Sequence, residues 1–170
     1  CYPRRMRRHV LPFLARHEAP EPLLGVLKRG AGAALGLVAV AWLARVTGWP
    51  LLLAPLGASV VLLFGQPGSP LAQPMHLFGG YFLGTCLAVG TAWALPGEPL
   101  AAALAVGGAV SLMAGLRVTH PPAGAVPLVA LADPGGAWRL FPALLLASLA
   151  LVAIAVLCHR LPPRTAYPKG

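Results

Sequence analysis

The sequence predicts an all-α fold, a polytopic bundle of membrane helices. Of its 170 residues, 58% are hydrophobic and 10% are charged, and the mean hydropathy of +0.76 is far too high for a soluble domain. The 13 lysines and arginines lie mostly at the two ends of the chain. This distribution indicates membrane topology beside anionic lipid and not nucleic-acid binding, and the positive-inside rule then predicts that both termini are cytoplasmic.

Three regions are predicted: a basic lead over residues 1–22, a membrane domain over residues 23–159 and a basic tail over residues 160–170. The lead is expected to carry an interfacial helix around residues 10–16, and the tail is expected to be loose. The first span is predicted from residue 23 or 30 to residue 49. Its small residues allow close packing against another helix: Gly30, Gly32 and Gly36.

The apolar segment that follows, residues 51–64, is shorter than the roughly twenty residues that a span needs. Pro55 and Gly57 interrupt it further. We therefore expect a half-helix that begins near Gly57, Ala58 and Ser59. Interrupted backbone at membrane depth must be buried in protein or line a cavity, so this segment belongs at the centre of the bundle. A polar loop follows, with Gln66, Ser69 and Gln73.

Three further spans are predicted, over residues 74–95, 100–116 and 138–158. The first of them carries Gly80 and Gly84 in a G-x-x-x-G pattern, which indicates tight packing. Between the other two lies the sequence RVTHPPAGA, residues 117–125. Pro121 and Pro122 lack backbone N–H groups, so no helix runs through them, but a new helix can begin just after. Its free N–H groups would face a small polar space suited to an anion.

The two halves of the chain look alike at an offset of 67 residues. Pro55, Gly57 and Ala58 coincide with Pro122, Gly124 and Ala125. We therefore predict two internal repeats, over about residues 30–96 and 97–160, each a long span, a broken helix and a long span. If the short segments cross, the six crossings make the halves inverted. If they are re-entrant, four full spans remain and the halves are parallel.

Three ordered motifs, residues 54–64 (APLGASVVLLF), 69–74 (SPLAQP) and 117–125, closely resemble the HPP family of small integral membrane proteins. The resemblance implies a helical protein, usually of four spans, found in bacteria, algae and plants. Chloroplast and cyanobacterial members are associated with nitrite transport. For this chain we expect the bacterial inner membrane.

The two predicted helix starts and their neighbouring side chains form the predicted anion site. Substrate binding is assigned to Gly57, Ala58, Ser59, Thr119, His120, Ala123, Gly124 and Ala125. A gate or electrostatic role is assigned to Arg117, Gln66, Ser69 and Gln73, and a structural role to Pro55, Pro121 and Pro122. The middle of the chain is almost without acidic residues, which favours an anion over a cation. The family resemblance implies nitrite as that anion. No metal site or cofactor is predicted.

Structural interpretations of the same residues stay open. His120 can hold backbone carbonyls, Arg117 can anchor a span at the interface, and Ser59 can bond within its own helix. The function alternatives are a membrane scaffold or sensor and an intramembrane enzyme. The enzyme ranks low because the sequence holds no GxSxG or HExxH motif and no paired membrane carboxylates. Glycine-rich helix faces predict a homo-oligomer.

Overall fold

The structure is a computed structural model that describes residues 20–132 and 134–169. The predicted interfacial helix and most of the basic lead lie outside the described residues. Within those ranges every regular element is a helix, which confirms the predicted fold class. The α-helices are α1 (Leu23–Thr47), α2 (Ala54–Val60), α3 (Pro74–Ala94), α4 (Pro99–Gly115), α5 (Val126–Ala132) and α6 (Leu140–Arg160). A π-helical turn, Val61–Gly65, continues α2, and 3-10 helices cover Pro70–Ala72, Pro121–Ala125 and Pro134–Arg139.

Three of the described helical stretches are long and apolar enough to cross a membrane: Leu23–Thr47, Pro74–Ala94 and Ala137–Arg160. The remaining predicted span, over residues 100–116, corresponds to helix α4, which has 17 residues. At 1.5 Å per residue it covers about 25 Å, less than the roughly 30 Å of a hydrocarbon core. The order long helix, short helix, long helix does occur in both halves. That the halves arose by duplication, and that the short helices cross, stay predictions.

Helix α3 lies at the centre and contacts α4, α5, α6 and the 3-10 helix Pro121–Ala125. Its glycines make this contact close. A Cβ atom added at Gly80 would lie 2.6 Å from Cβ of His120, and one at Gly84 would lie 2.6 Å from the carbonyl oxygen of Ala123. The G-x-x-x-G prediction of tight packing is confirmed.

Helices α1 and α6 pack against each other at the side of the bundle. Cβ atoms at Gly32 and Gly36 would lie 2.6 Å from Phe64 and 3.0 Å from Leu151, as the predicted close packing requires. Gly30 has no neighbour within 4 Å among the described residues, so its predicted packing role stays a prediction. Helix α1 ends at Thr47, and the following residue, Gly48, makes a left-handed cap with a φ of 70° and an N–H bond to the Ala44 oxygen.

Both predicted starts of the interrupted helices need correction. Helix α2 begins at Ala54, so Gly57, Ala58 and Ser59 lie inside it and not at its first turn. The second segment begins as a 3-10 helix at Pro121, and the α-helix begins only at Val126. The physical reason is the same in both: a proline in the first turn has the backbone angle that a helix start requires.

The prediction of a loose C-terminal tail is wrong. We call residues 161–169 the C-terminal strap, because it folds back onto the bundle. The hydroxyl group of Tyr167, a residue 7% exposed, donates to the Ala72 carbonyl at 3.1 Å, and the Lys169 N–H donates to Gln73 Oε1 at 2.8 Å. The Thr165 N–H donates to the carbonyl of His159 at 3.1 Å. Burial of the Tyr167 ring raises the pKa of its hydroxyl group to about 12.

Candidate functional site

Three buried polar side chains meet where the 3-10 helix Pro121–Ala125 lies between α2 and α3. They are Ser59 of α2, Tyr81 of α3 and His120, which directly precedes the 3-10 helix Pro121–Ala125. Ser59 and His120 are 0% exposed and Tyr81 is 1% exposed. We call these three residues the polar cluster. Buried polar groups at such a position must be hydrogen-bonded to be tolerated.

Ser59 is the middle member of the polar cluster. Its Oγ atom lies 2.7 Å from the Tyr81 hydroxyl oxygen and 2.7 Å from His120 Nε2. Its distance to the Pro55 carbonyl oxygen in its own helix is 3.3 Å. The Tyr81 and His120 rings meet edge to face, with centroids 5.3 Å apart. The predicted bond within the helix is therefore present but longer than the two bonds that connect separate segments.

The direction of these hydrogen bonds follows from one backbone carbonyl. His120 Nδ1 lies 2.8 Å from the Leu71 carbonyl oxygen, which can only accept, so Nδ1 carries a proton. In the neutral imidazole, Nε2 then accepts from the Ser59 hydroxyl group, and Ser59 accepts from the Tyr81 hydroxyl group. The result is a directed chain of donors from Tyr81 through Ser59 and His120 to the polar loop.

Local sequence explains why His120 reaches this place. The residue before a proline is held in extended backbone, and His120 has φ −131° and ψ 98°. Gly80 leaves the space that the His120 Cβ atom fills. His76, one turn before Gly80, binds the carbonyl of Thr119 through Nδ1 at 3.0 Å. Helix α3 therefore also fixes the backbone of Thr119, the residue next to His120.

The predicted backbone N–H donors are not free in this structure, which is a correction. Pro121 and Pro122 have no N–H, and the N–H of Ala123 donates to the His120 carbonyl at 2.9 Å. In the other segment the N–H of Leu56 donates to the Leu53 carbonyl at 2.9 Å. The N–H groups of Ala123 and Leu56 thus close the first turns of their own segments instead of facing a polar space. Gly124 and Ala125 are partly exposed and Ala123 is buried, and Ala58 is exposed.

The polar-loop residues bind mainly the loop itself. Gln73 Nε2 donates to the carbonyls of Pro67 and Ser69, at 2.9 and 3.0 Å. Ser69 Oγ accepts from the Leu71 N–H at 3.2 Å. These bonds hold the turn that presents the Leu71 carbonyl to His120, and Gln66 lies exposed at the start of the same loop.

Arg117 lies outside the polar cluster. It is exposed and lies just beyond the end of α4, with a φ of 58°. The N–H of the next residue, Val118, donates to the Met113 carbonyl at 2.9 Å. The left-handed backbone describes how α4 ends, and the anchoring role of the Arg117 side chain stays a prediction. Thr119 is half-buried, and its carbonyl is the group that His76 binds.

Tyr81 is the member of the site that sequence reasoning missed. A signal was available: a tyrosine between two glycines of a predicted span must find a partner for its hydroxyl group. Its pairing with Ser59 joins residues 22 positions apart, and the Ser59–His120 bond joins residues 61 positions apart. Neither pairing follows from local periodicity.

The arrangement offers hydrogen-bond donors in an apolar setting. Acidic residues in the described part of the chain are Glu21 and Glu98, and both lie outside the helices, next to their first turns. The Ser59–His120 distance also suits proton transfer from a hydroxyl group to a base. However, Ser59 is fully buried and donates within a complete hydrogen-bond chain.

Comparison with known proteins agrees with the motifs. Residues 19–168 match the family described as HPP, transmembrane region. Two transmembrane proteins of Dictyostelium discoideum are each 32% identical over 125 residues, which is 69% of this chain, and the chain spans 44% and 40% of their lengths. No solved structure gives a significant match. The chain therefore belongs to the HPP transmembrane family.

Proposed function

We propose that this chain is a transporter or channel for a small inorganic anion, with nitrite as the first candidate. The observation that carries the proposal is the polar cluster, whose three members are at most 1% exposed. It lies between two interrupted helices inside a largely apolar bundle. Polar side chains at membrane depth are costly, and irregular backbone there is usual where a substrate passes, so both features support transport.

The donor character of the cluster supports an anion as the substrate. The hydroxyl groups of Ser59 and Tyr81 can each donate a hydrogen bond to an anionic oxygen, and the His120 ring can add a donor only when Nε2 is also protonated. A cation pathway normally carries carboxylates. The two acidic residues in the described part, Glu21 and Glu98, lie outside the helices.

In this conformation the donors bind one another, which corresponds to a closed site. An anion that receives a donor from Tyr81 and one from Ser59 would replace both the Tyr81–Ser59 bond and the Ser59–His120 bond. Hydrogen bonds to a charged acceptor contribute about 1.5–3 kcal/mol, against about 0.5–1.5 kcal/mol for a neutral pair. Two such bonds therefore outweigh the two neutral bonds that are lost and offset part of the cost of dehydrating the anion. The backbone donors near Ala123 would contribute only after the 3-10 helix opens.

The cellular setting is part of the same proposal. The basic chain ends favour cytoplasmic termini in a bacterial inner membrane. The exposed glycine-bearing helices favour a homo-oligomer.

The test is anion uptake into vesicles that contain the purified full chain. Nitrite, nitrate, formate and chloride are compared, each with and without a pH gradient, and protein-free vesicles are the control. The proposal expects selective uptake, greatest for nitrite. Uptake that equals the protein-free control for all four anions would refute it.

One observation favours a second candidate, a non-transporting scaffold or sensor. The His120 ring binds protein groups at both nitrogens, and His76 holds the adjacent carbonyl, so the motif also serves as a packing device. This candidate predicts a co-purifying assembly partner and no anion flux. Catalysis is not proposed, because the sequence holds no GxSxG or HExxH motif and no paired membrane carboxylates. Labelling of Ser59 by a fluorophosphonate would overturn that exclusion.

A further inference from the structure

An apolar groove runs along the outside of the bundle between α1 and α6. Its volume is about 530 Å³, and six of its lining residues recur at helical spacing: Leu35, Val38, Trp42, Ile154, Leu157 and Leu161. Most of these side chains are more than half exposed, with Val38 at 64% and Leu157 at 57%. In a bilayer such a concave apolar surface fits an extended hydrocarbon chain.

One end of the groove is basic. Leu161, which lines the groove, lies between Arg160 and Arg164 on the chain, and both arginines are exposed. Lys28 Nζ donates to the Leu161 carbonyl at 2.7 Å and also to the Pro163 carbonyl. Cys158 lines both the groove and a second, small cavity beside Lys28 and Arg29. The described acidic side chain at this end is Glu21, which pairs with Arg29 at 2.9 Å.

A further concavity at the same end is lined by His159, Arg160, Arg164, Thr165 and Tyr167. His159 is 4% exposed, and its Nε2 donates to the Leu63 carbonyl at 2.8 Å. Its Nδ1 is buried and has no hydrogen-bond partner among the described residues. Because Nε2 carries the proton, Nδ1 of the neutral ring is an acceptor without a partner among the described residues, and a headgroup hydroxyl group can donate to it.

We propose that the groove and its basic end bind one anionic phospholipid. An acyl chain occupies the groove between α1 and α6, and the headgroup phosphate is held by Arg160 and Arg164. The charge of the basic end selects an anionic over a zwitterionic lipid, because each basic side chain near an anionic headgroup adds to binding. The site is separate from the polar cluster and does not depend on transport.

Lipid retention on the purified full chain tests the charge requirement. The protein is incubated with equal amounts of phosphatidylglycerol and phosphatidylcholine, and bound lipid is counted by native mass spectrometry. We expect phosphatidylglycerol to be retained preferentially. The double variant Arg160→Gln, Arg164→Gln should bind it more weakly, by about fivefold per arginine and roughly 25-fold for the pair. The matched control Arg117→Gln, Arg139→Gln removes the same charge at exposed arginines that line neither the groove nor its basic end, and should leave retention unchanged.

The acyl-chain part is tested by filling the groove. Val38→Trp should lower phosphatidylglycerol retention several-fold, whereas Val110→Trp, at an exposed valine on α4, should not. Equal retention of the two lipids by the native chain would overturn the proposal. If each variant and its control have equal effects on retention, the proposal is also overturned. A lipid-free dimer that Val38→Trp dissociates would overturn it as well, because the groove would then bind a second copy of the chain.

Discussion

Replacing Gly84 by alanine tests whether α3 holds the interrupted helix by direct contact. An ideal Cβ atom at Gly84 would lie 2.6 Å from the Ala123 carbonyl oxygen, whereas ordinary contact begins at 3.4 Å. Because the obstacle is backbone, relief requires that α3 and the 3-10 helix move apart. Gly90 lies in the same helix with no neighbour within 4 Å among the described residues, so Gly90→Ala is a matched control.

The expected magnitude comes from two opposing effects. Both substitutions gain helix propensity, about 1 kcal/mol in a helix interior. Only Gly84→Ala also incurs the cost of overpacking, typically about 1–3 kcal/mol. Subtracting one variant from the other removes the propensity effect. We therefore expect Gly84→Ala to be less stable than Gly90→Ala by about 1–3 kcal/mol.

The assay is reversible unfolding of the two variants by sodium dodecyl sulfate in mixed micelles, followed by far-ultraviolet circular dichroism. The native chain gives the reference free energy of unfolding. Gly90→Ala should match it or exceed it, and Gly84→Ala should fall below Gly90→Ala. Equal stability of the two variants would refute the assigned contact between α3 and Ala123.

Two further predictions concern other buried groups. Ser148 is 0% exposed and its hydroxyl group has no partner among the described residues, so Ser148→Ala should leave the melting temperature unchanged or raise it; a clear loss would mean that the hydroxyl group has an unseen partner. Burial raises the pKa of Tyr167 from 10.0 to about 12, so its contribution to stability is complete below pH 10 and is lost as the pH rises through about 12. Tyr167→Phe should remove that part of the alkaline loss of stability, and identical pH profiles of the native chain and the variant between pH 9 and pH 12 would contradict the strap contact.

The fold class was predictable because hydropathy, proline positions and end charges are local properties of the sequence. Ser59 and His120 were also predictable as members of one site, since each lies in a short segment that cannot cross as a continuous helix. Their direct bond and the role of Tyr81 were not, because those contacts depend on how three separate segments pack. The prediction of free N–H groups failed at Ala123, whose N–H donates to the His120 carbonyl and so closes the first turn of its own segment.

The prediction of a loose C-terminal tail failed for a related reason. Its composition is polar and basic, which is typical of loose tails, and the sequence gives no indication of a partner for Tyr167. That partner, the Ala72 carbonyl, lies 95 positions away in the polar loop. Isolated long-range contacts of this kind leave no periodic pattern.

The central claim is that the polar cluster contacts the transported anion, and the most direct test is nitrite uptake by Ser59→Ala beside Ser111→Ala. Ser111 is exposed on α4 and its hydroxyl group donates to the Gly107 carbonyl of its own helix at 3.0 Å, so Ser111→Ala controls for loss of a hydroxyl group. Circular dichroism confirms that both variants are folded. We expect Ser59→Ala to reduce nitrite uptake about ten- to hundredfold, the loss of one hydrogen bond to a charged group, and Ser111→Ala to keep native uptake. Native uptake by folded Ser59→Ala would contradict the claim.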